Sequence, residues 1–182
     1  MKLPIDLVPQ SVWFSNLRSI LTTAEWQRIK DKTFQLAGYR CEYCGGVGKK
    51  HPVECHEVFE YNDETKRQTL IKTVALCPSC HLATHYGLAQ AKNLKYAAEK
   101  QLKKVNQISN EELQKYISDC FKLWEERSKH YWILDALRLN TFILLSPESK
   151  QRIAVLAADM EHRMGDVEKS KWRNLFFKDK TK

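Results

Sequence analysis

Cys41-Glu-Tyr-Cys44, Glu54-Cys55-His56-Glu57-Val58 and Cys77-Pro-Ser-Cys80-His81-Leu-Ala-Thr-His85 are the runs on which the fold of this chain turns. Two Cys-x-x-Cys pairs bracket a His-Glu dipeptide, and the second pair leads straight into two histidines. No other part of the chain has a comparable density of metal-ligating side chains, and the rest reads as support for this stretch.

Zinc wants four soft ligands in a tetrahedron, and a Cys-x-x-Cys turn puts two sulfurs on one side of the ion. Cys41, Cys44, Cys77 and Cys80 are therefore expected to form a closed, structural zinc site that staples an early loop to the start of a helix. A single pair would also fit a thioredoxin-like redox motif; two pairs with histidines beside them favour metal. Cys55 and Cys120 are left over and read as buried thiols. His81 and His85 are spaced i and i+4, so one helix presents both on one face. Packing two strands and that helix in one layer can bring His56 to the same point. Three protein ligands with open positions are the mark of a catalytic metal. The bland alternative leaves His81 as a support for the cysteine turn and His85 on the surface.

Outward from this centre, Gly45-Gly46 lets the cysteine turn close tightly. Val53 to Tyr61 and the β-branched run Thr69 to Leu76 read as two strands, with Asn62-Asp63-Glu64 turning between them. Pro78 opens the helix that carries Cys80, His81 and His85, and Gly87 is expected to end it. Upstream, Trp13, Phe14, Leu17, Ile20 and Leu21 suit an N-terminal arm packed on the body. Thr22-Thr-Ala-Glu25 is a capping box for a helix ending at Gly38, with Trp26, Ile29, Phe34 and Leu36 partly buried. Downstream, Leu88 to about Asn106 reads as a lysine-rich helix. Ser109-Asn-Glu-Glu112 caps another, which carries Leu113, Tyr116, Ile117, Phe121 and Trp124. Trp132 to Leu145 is ambiguous between strand and helix. Ser146-Pro147-Glu148 opens a last helix through Ile153, Leu156, Met160 and Met164, followed by a tail that interleaves lysines and Arg173 with Trp172, Phe176 and Phe177. The expected class is α+β and mostly helical, with two short strands. The expected segments are 1–37 (arm and helix), 38–87 (core), 88–145 (helical extension) and 146–182 (last helix and tail).

The chain has 182 residues, a net charge of +8 and 29% charged side chains. That is enough for one domain with a buried core, and the basic balance favours a polyanionic partner. Lys49, Lys50, Lys66, Arg67, Lys92 and Lys95 flank the central stretch and are candidate phosphate contacts. The N-terminus has no apolar signal region and no apolar run approaches a membrane span, so a cytoplasmic protein without membrane contact is expected. In a reducing compartment the six cysteines are not a disulfide framework.

Taken together, Cys-x-x-Cys, Val-Glu-Cys-His-Glu-Val and Ala-Leu-Cys-Pro-Ser-Cys-His-x-x-x-His resemble the HNH endonucleases, which have a ββα-metal core and a four-cysteine zinc site. The resemblance covers about residues 38 to 87. The flanks Trp13 to Arg18 and Trp124-Glu-Glu-Arg127 are similar to those of a bacterial group of the same kind. It implies a metal-dependent nuclease acting on nucleic acid, duplex DNA before RNA, with a homodimer or protein partner as further expectations. A divalent ion (Mg, Mn or Zn) would be held by His56, His81 and His85. The second histidine of the family's usual pair, its general base, falls at Glu57, and the family's middle Asn falls near Thr73. Three readings follow. Glu57 serves as the base, or His56 does with fewer metal ligands, or the chain is a silent zinc module that binds nucleic acid or a partner protein. An effector subunit active only with a partner is a further alternative.

Overall fold

The computed structural model describes residues 1–13 and 16–177, with side chains as far as 163. The chain is α+β, with helix predominating around a three-stranded sheet. After a 3-10 turn at Gln10–Val12 come α1 (Leu17–Ile20) and α2 (Thr23–Leu36). The hairpin β1 (Glu54–Asn62) and β2 (Arg67–Leu76) leads into α3 (Pro78–Thr84) and α4 (Tyr86–Ala91). Then follow α5 (Lys95–Asn106), α6 (Asn110–Ser128), β3 (Ile133–Asp135), α7 (Leu139–Phe142) and α8 (Pro147–Phe177). No helix among the described residues is long and apolar enough to cross a membrane.

Three features depart from the sequence reading. The ambiguous Trp132 to Leu145 supplies both a third strand, parallel to β2, and the short α7. The helix after Pro78 is interrupted at His85, not ended at Gly87. His85 has φ −82° and ψ 52°, and Gly87 lies inside the next helix. A Cβ at Gly87 would stand 3.3 Å from Leu7 Cδ2, so close approach of the arm accounts for this glycine. Leu36, expected to be partly buried, is exposed, because α2 turns Trp26, Ile29 and Thr33 inward instead. The side chains of Met164 and of the tail from Lys169 lie outside those described, and Phe14 of the arm lies outside the described residues.

The β1–β2 hairpin divides two cores. Val58 pairs with Lys72 but Phe59 pairs with Leu70, so Ile71 is an extra residue in β2. A bulge of this kind reverses the in–out alternation. Val74 and Leu76 therefore join Leu3, Ala83, Tyr86, Leu102 and Leu113 in one core. Leu70 joins Leu17, Trp26, Ile29, Leu134 and Ile153 in the other. β1 is an edge strand, and both of its faces reach the free edge. The arm crosses that region on fixed bonds. The Leu3 N–H donates to Asn106 Oδ1 at 2.8 Å, Ile5 N–H to the Tyr116 hydroxyl at 3.0 Å, and Asp6 N–H to the Thr84 carbonyl at 2.8 Å.

Glu25 does more than close a capping box. It is 1% exposed. Its carboxylate accepts from Thr22 N–H (2.9 Å), Ser146 N–H (2.7 Å) and the Ser149 hydroxyl (2.5 Å), tying α2 to the start of α8. Burial alone would raise its pKa, but these donors hold it down from 4.5 to about 2. A depressed carboxyl pKa stabilises the fold above the unfolded value and loses that contribution as pH falls. Acid unfolding should therefore steepen between pH 4.5 and 2. Glu25→Gln should cost about 2 kcal/mol at neutral pH and flatten that limb, as measured by urea unfolding across pH. An unchanged acid limb would contradict the assignment.

Candidate active site

The first Cys-x-x-Cys pair sits on a loop that is pinned to β2. Glu42 N–H donates to the Ala75 carbonyl at 2.9 Å, and Ala75 N–H donates to Glu42 Oε1 at 2.8 Å. The second pair straddles Pro78, with Cys77 as N-cap and Cys80 inside α3. Gly48 lets the loop pass over that proline, since a Cβ there would fall 2.6 Å from Pro78 Cδ and 2.1 Å from the His51 carbonyl oxygen. The four sulfurs lie within 4.8 Å of one another, and Cys44 Sγ is 3.6 Å from Cys77 Sγ. A tetrahedral ion with metal–sulfur bonds of about 2.3 Å spaces its sulfurs about 3.8 Å apart. The set is therefore able to hold a metal ion. The Gln101 carboxamide donates to Cys80 Sγ at 3.1 Å and Gly46 N–H to Cys44 Sγ at 3.4 Å. The hydrogen bond shared with Cys80 lowers the Cys41 thiol to about 4 against the cost of burial. The same bond, with burial, pushes Cys80 up, and burial pushes Cys77 up. A cation at the centre of the cluster favours the thiolate form of all four.

The second group is His56, His81 and His85, whose ring nitrogens also lie within 4.8 Å of one another. His56 comes from β1 and is 5% exposed, while His81 and His85 come from one turn of α3 and its cap. The i to i+4 expectation holds through the break, because His85 N–H still bonds the His81 carbonyl at 3.0 Å. His81 Nε2 and His85 Nε2 are 3.1 Å apart. Glu54 Oε2 lies 2.5 Å from His81 Nδ1. A carboxylate only accepts, so Nδ1 carries the proton and the Nε2 lone pair is free for a cation. Glu54 thus holds the His81 ring from the start of β1. Burial lowers the pKa of His81, opposed by Glu54, and lowers His85 to about 4. Both shifts favour the neutral ring, the form that ligates metal.

Glu57 stands opposite Thr73 in the ladder, on the other face of β1 from His56. The free edge of β1 brings both into one hollow of about 190 Å³, lined also by Asn16, Arg18, Trp26, Cys55, His81 and His85. Glu57 Oε1 accepts from Leu17 N–H at 2.9 Å. Burial raises its pKa, opposed by that amide and by the charges of His56 and Arg18.

No protein-family model, curated protein or solved structure matches this chain.

The site also draws on residues that sequence spacing did not reveal. Asp6 Oδ2 lies 3.4 Å from His56 Nε2, placed there by the Asp6–Thr84 backbone bond. Arg18 lines the hollow from α1, its guanidinium 5.6 Å from the Trp26 ring. Asn16 is the N-cap of α1, accepting from Ser19 N–H. All three come from the arm, distant in sequence from the histidines, so no local motif marks them. Thr73 instead bonds Thr33, hydroxyl to hydroxyl at 2.6 Å. Cys55 and Cys120 are half-buried, not buried, and Cys55 lines the hollow.

None of the six flanking basic residues lines the hollow. Lys49, Lys50, Arg67, Lys92 and Lys95 are exposed, and Lys95 pairs with Glu99 at 3.6 Å. Lys66 is half-buried over the Trp132 ring, and with Arg67 it stands at the far end of the hairpin. At about 3.3 Å per residue that end is roughly 20 Å from His56.

Proposed function

We propose that this chain is a metal-dependent nuclease of the HNH type that hydrolyses phosphodiester bonds, with Glu57 as general base. One observation carries the reading: a single hollow unites three clustered imidazoles, a carboxylate and an arginine. The hairpin followed by a helix, with ligands from its first strand and its helix, supports a ββα-metal core. The cysteine cluster is read as a structural zinc site, since four sulfurs leave no open position.

His56, His81 and His85 would hold one divalent cation. When bound, such an ion neutralises charge on a phosphate and on the leaving oxygen. Glu54 keeps the His81 ring oriented with its free nitrogen toward that ion. Asp6, 3.4 Å from His56 Nε2, would steady that ring. Arg18 is placed to pair with a phosphate oxygen as charge develops there. Glu57 accepts the proton of the attacking water, and its partial burial makes it a stronger base than an exposed carboxylate. Because His56 lies with the other two imidazoles, the arrangement favours Glu57 over His56 as base.

Supercoiled plasmid, incubated with magnesium or manganese, tests this directly. The wild type should nick it. His56→Ala should abolish the cut, and Arg18→Ala should lower the rate about 10²-fold. Binding of DNA and RNA with no cleavage under any divalent ion would instead favour a silent binding module.

A further inference from the structure

A larger cleft opens beside the hollow, with a volume of about 680 Å³. It shares Asp6, Glu57 and His85 with the candidate site at one end. Its walls are Val8 and Trp13 of the arm, Leu88 and Ala91 of α4, and Phe121 and Trp124 of α6. Both tryptophans donate their indole N–H to the Val8 carbonyl, at 2.8 and 2.9 Å, so one hydrogen bond anchors each ring to the arm. A volume in the range of roughly 300–1,000 Å³ suits one small ligand and is too small for a duplex.

The chemistry of the lining narrows that ligand. Among the described lining residues there is no lysine or arginine, and the two acidic groups are carboxylates. A phosphate chain is therefore unwelcome inside. An uncharged, flat group with apolar faces is welcome. One lining side chain also carries a polar atom without a partner. Gln68 lines it and is 1% exposed, yet its Oε1 has no hydrogen-bond partner among the described residues. The Tyr61 hydroxyl, across the ladder from Gln68, does not serve it and is itself without a partner. A carboxamide oxygen in this state is an acceptor that a ligand's donor can meet. A nucleobase meets all three conditions: apolar faces to stack on aromatic rings, no charge, and an edge of donors and acceptors.

We infer that the cleft receives an unpaired base adjoining the scissile phosphate, so that nucleic acid with an unpaired nucleotide at the cut is the preferred substrate. This rests on the nuclease reading of the adjoining hollow. A paired base has its faces stacked and its edge engaged, so only a base already free, or turned out of the helix, enters. The phosphate then stays outside, at the histidines and Arg18, while the base lies within against Gln68.

The experiment uses the full chain and two labelled DNA duplexes of one sequence, fully paired or carrying a single unpaired nucleotide. Binding is measured by fluorescence anisotropy without added magnesium, and cleavage is measured separately with it. The wild type should bind the unpaired substrate about tenfold more tightly or better. Gln68→Leu should bring the ratio near one. Ala91→Trp, at an exposed position on the rim, should do the same by blocking entry; it keeps the test valid if Gln68→Leu fails to fold. Equal binding of both duplexes overturns the inference, as does a preference that survives Ala91→Trp. Cleavage without preference overturns the base site and leaves the nuclease reading standing. Preference without cleavage under any divalent ion overturns the nuclease reading and supports the base site.

Discussion

Cys77→Ser is expected to release one zinc ion per chain and to unfold the protein at ordinary temperatures. Zinc held by such ligands contributes about 10–16 kcal/mol of apparent binding free energy, and much of that is folding free energy. A whole domain is stable by only about 5–15 kcal/mol. Losing one of four ligands therefore removes an amount comparable with the total. The position sharpens the effect. Cys77 follows the last residue of β2 and is the N-cap of α3, so it sits where the strand becomes the helix that carries His81 and His85. Its sulfur faces Cys44 on the loop pinned to β2. Release of the ion would free that loop and the start of α3 together. Zinc content by atomic spectroscopy and thermal unfolding by circular dichroism provide the check. Cys120→Ser, on α6 outside the cluster, should keep both zinc and melting temperature. A Cys77→Ser protein with full zinc content and an unshifted melting temperature would dismiss the structural site.

Glu57→Gln should lower kcat about 10²- to 10⁴-fold while leaving divalent-ion affinity within a few-fold of wild type. The amide keeps the shape of the side chain, and its oxygen can still accept from Leu17 N–H. What it loses is the ability to take a proton. Glu57→His is the informative companion, since it writes the usual histidine pair of HNH nucleases into this chain. It should retain far more activity than Glu57→Gln. Single-turnover cleavage measures the rate, and calorimetric titration with manganese measures the metal. A Glu57→Gln enzyme as fast as wild type would remove Glu57 as base and return that role to His56 or to another group in the hollow.

The sequence was most legible where chemistry is local. Both cysteine pairs, both capping boxes and the His81–His85 spacing depend on residues within a few positions of one another, and each is found where spacing placed it. The α+β class followed from the same local patterns. The hairpin was read within two residues of its observed ends. Trp132 to Leu145 stayed ambiguous because a three-residue strand takes its stability from pairing with β2, not from its own composition.

What the amino-acid order determined by itself, then, was the inventory: two ligand sets, and the helices and strands that carry them. What only tertiary structure decided was who joins them. Asp6 reaches His56 because Leu3, Ile5 and Asp6 are hydrogen-bonded to α5, α6 and α3. Arg18 reaches the hollow because Leu17 and Ile20 pack against the second core. His56 and Glu57, on opposite faces by strand periodicity, share one hollow because β1 is an edge strand. Gln68 enters the cleft because the extra residue Ile71 reverses the alternation of β2. Local patterns record what a backbone does over one or two turns. Contacts between distant segments depend on the packing of the whole chain, which no single stretch of sequence contains.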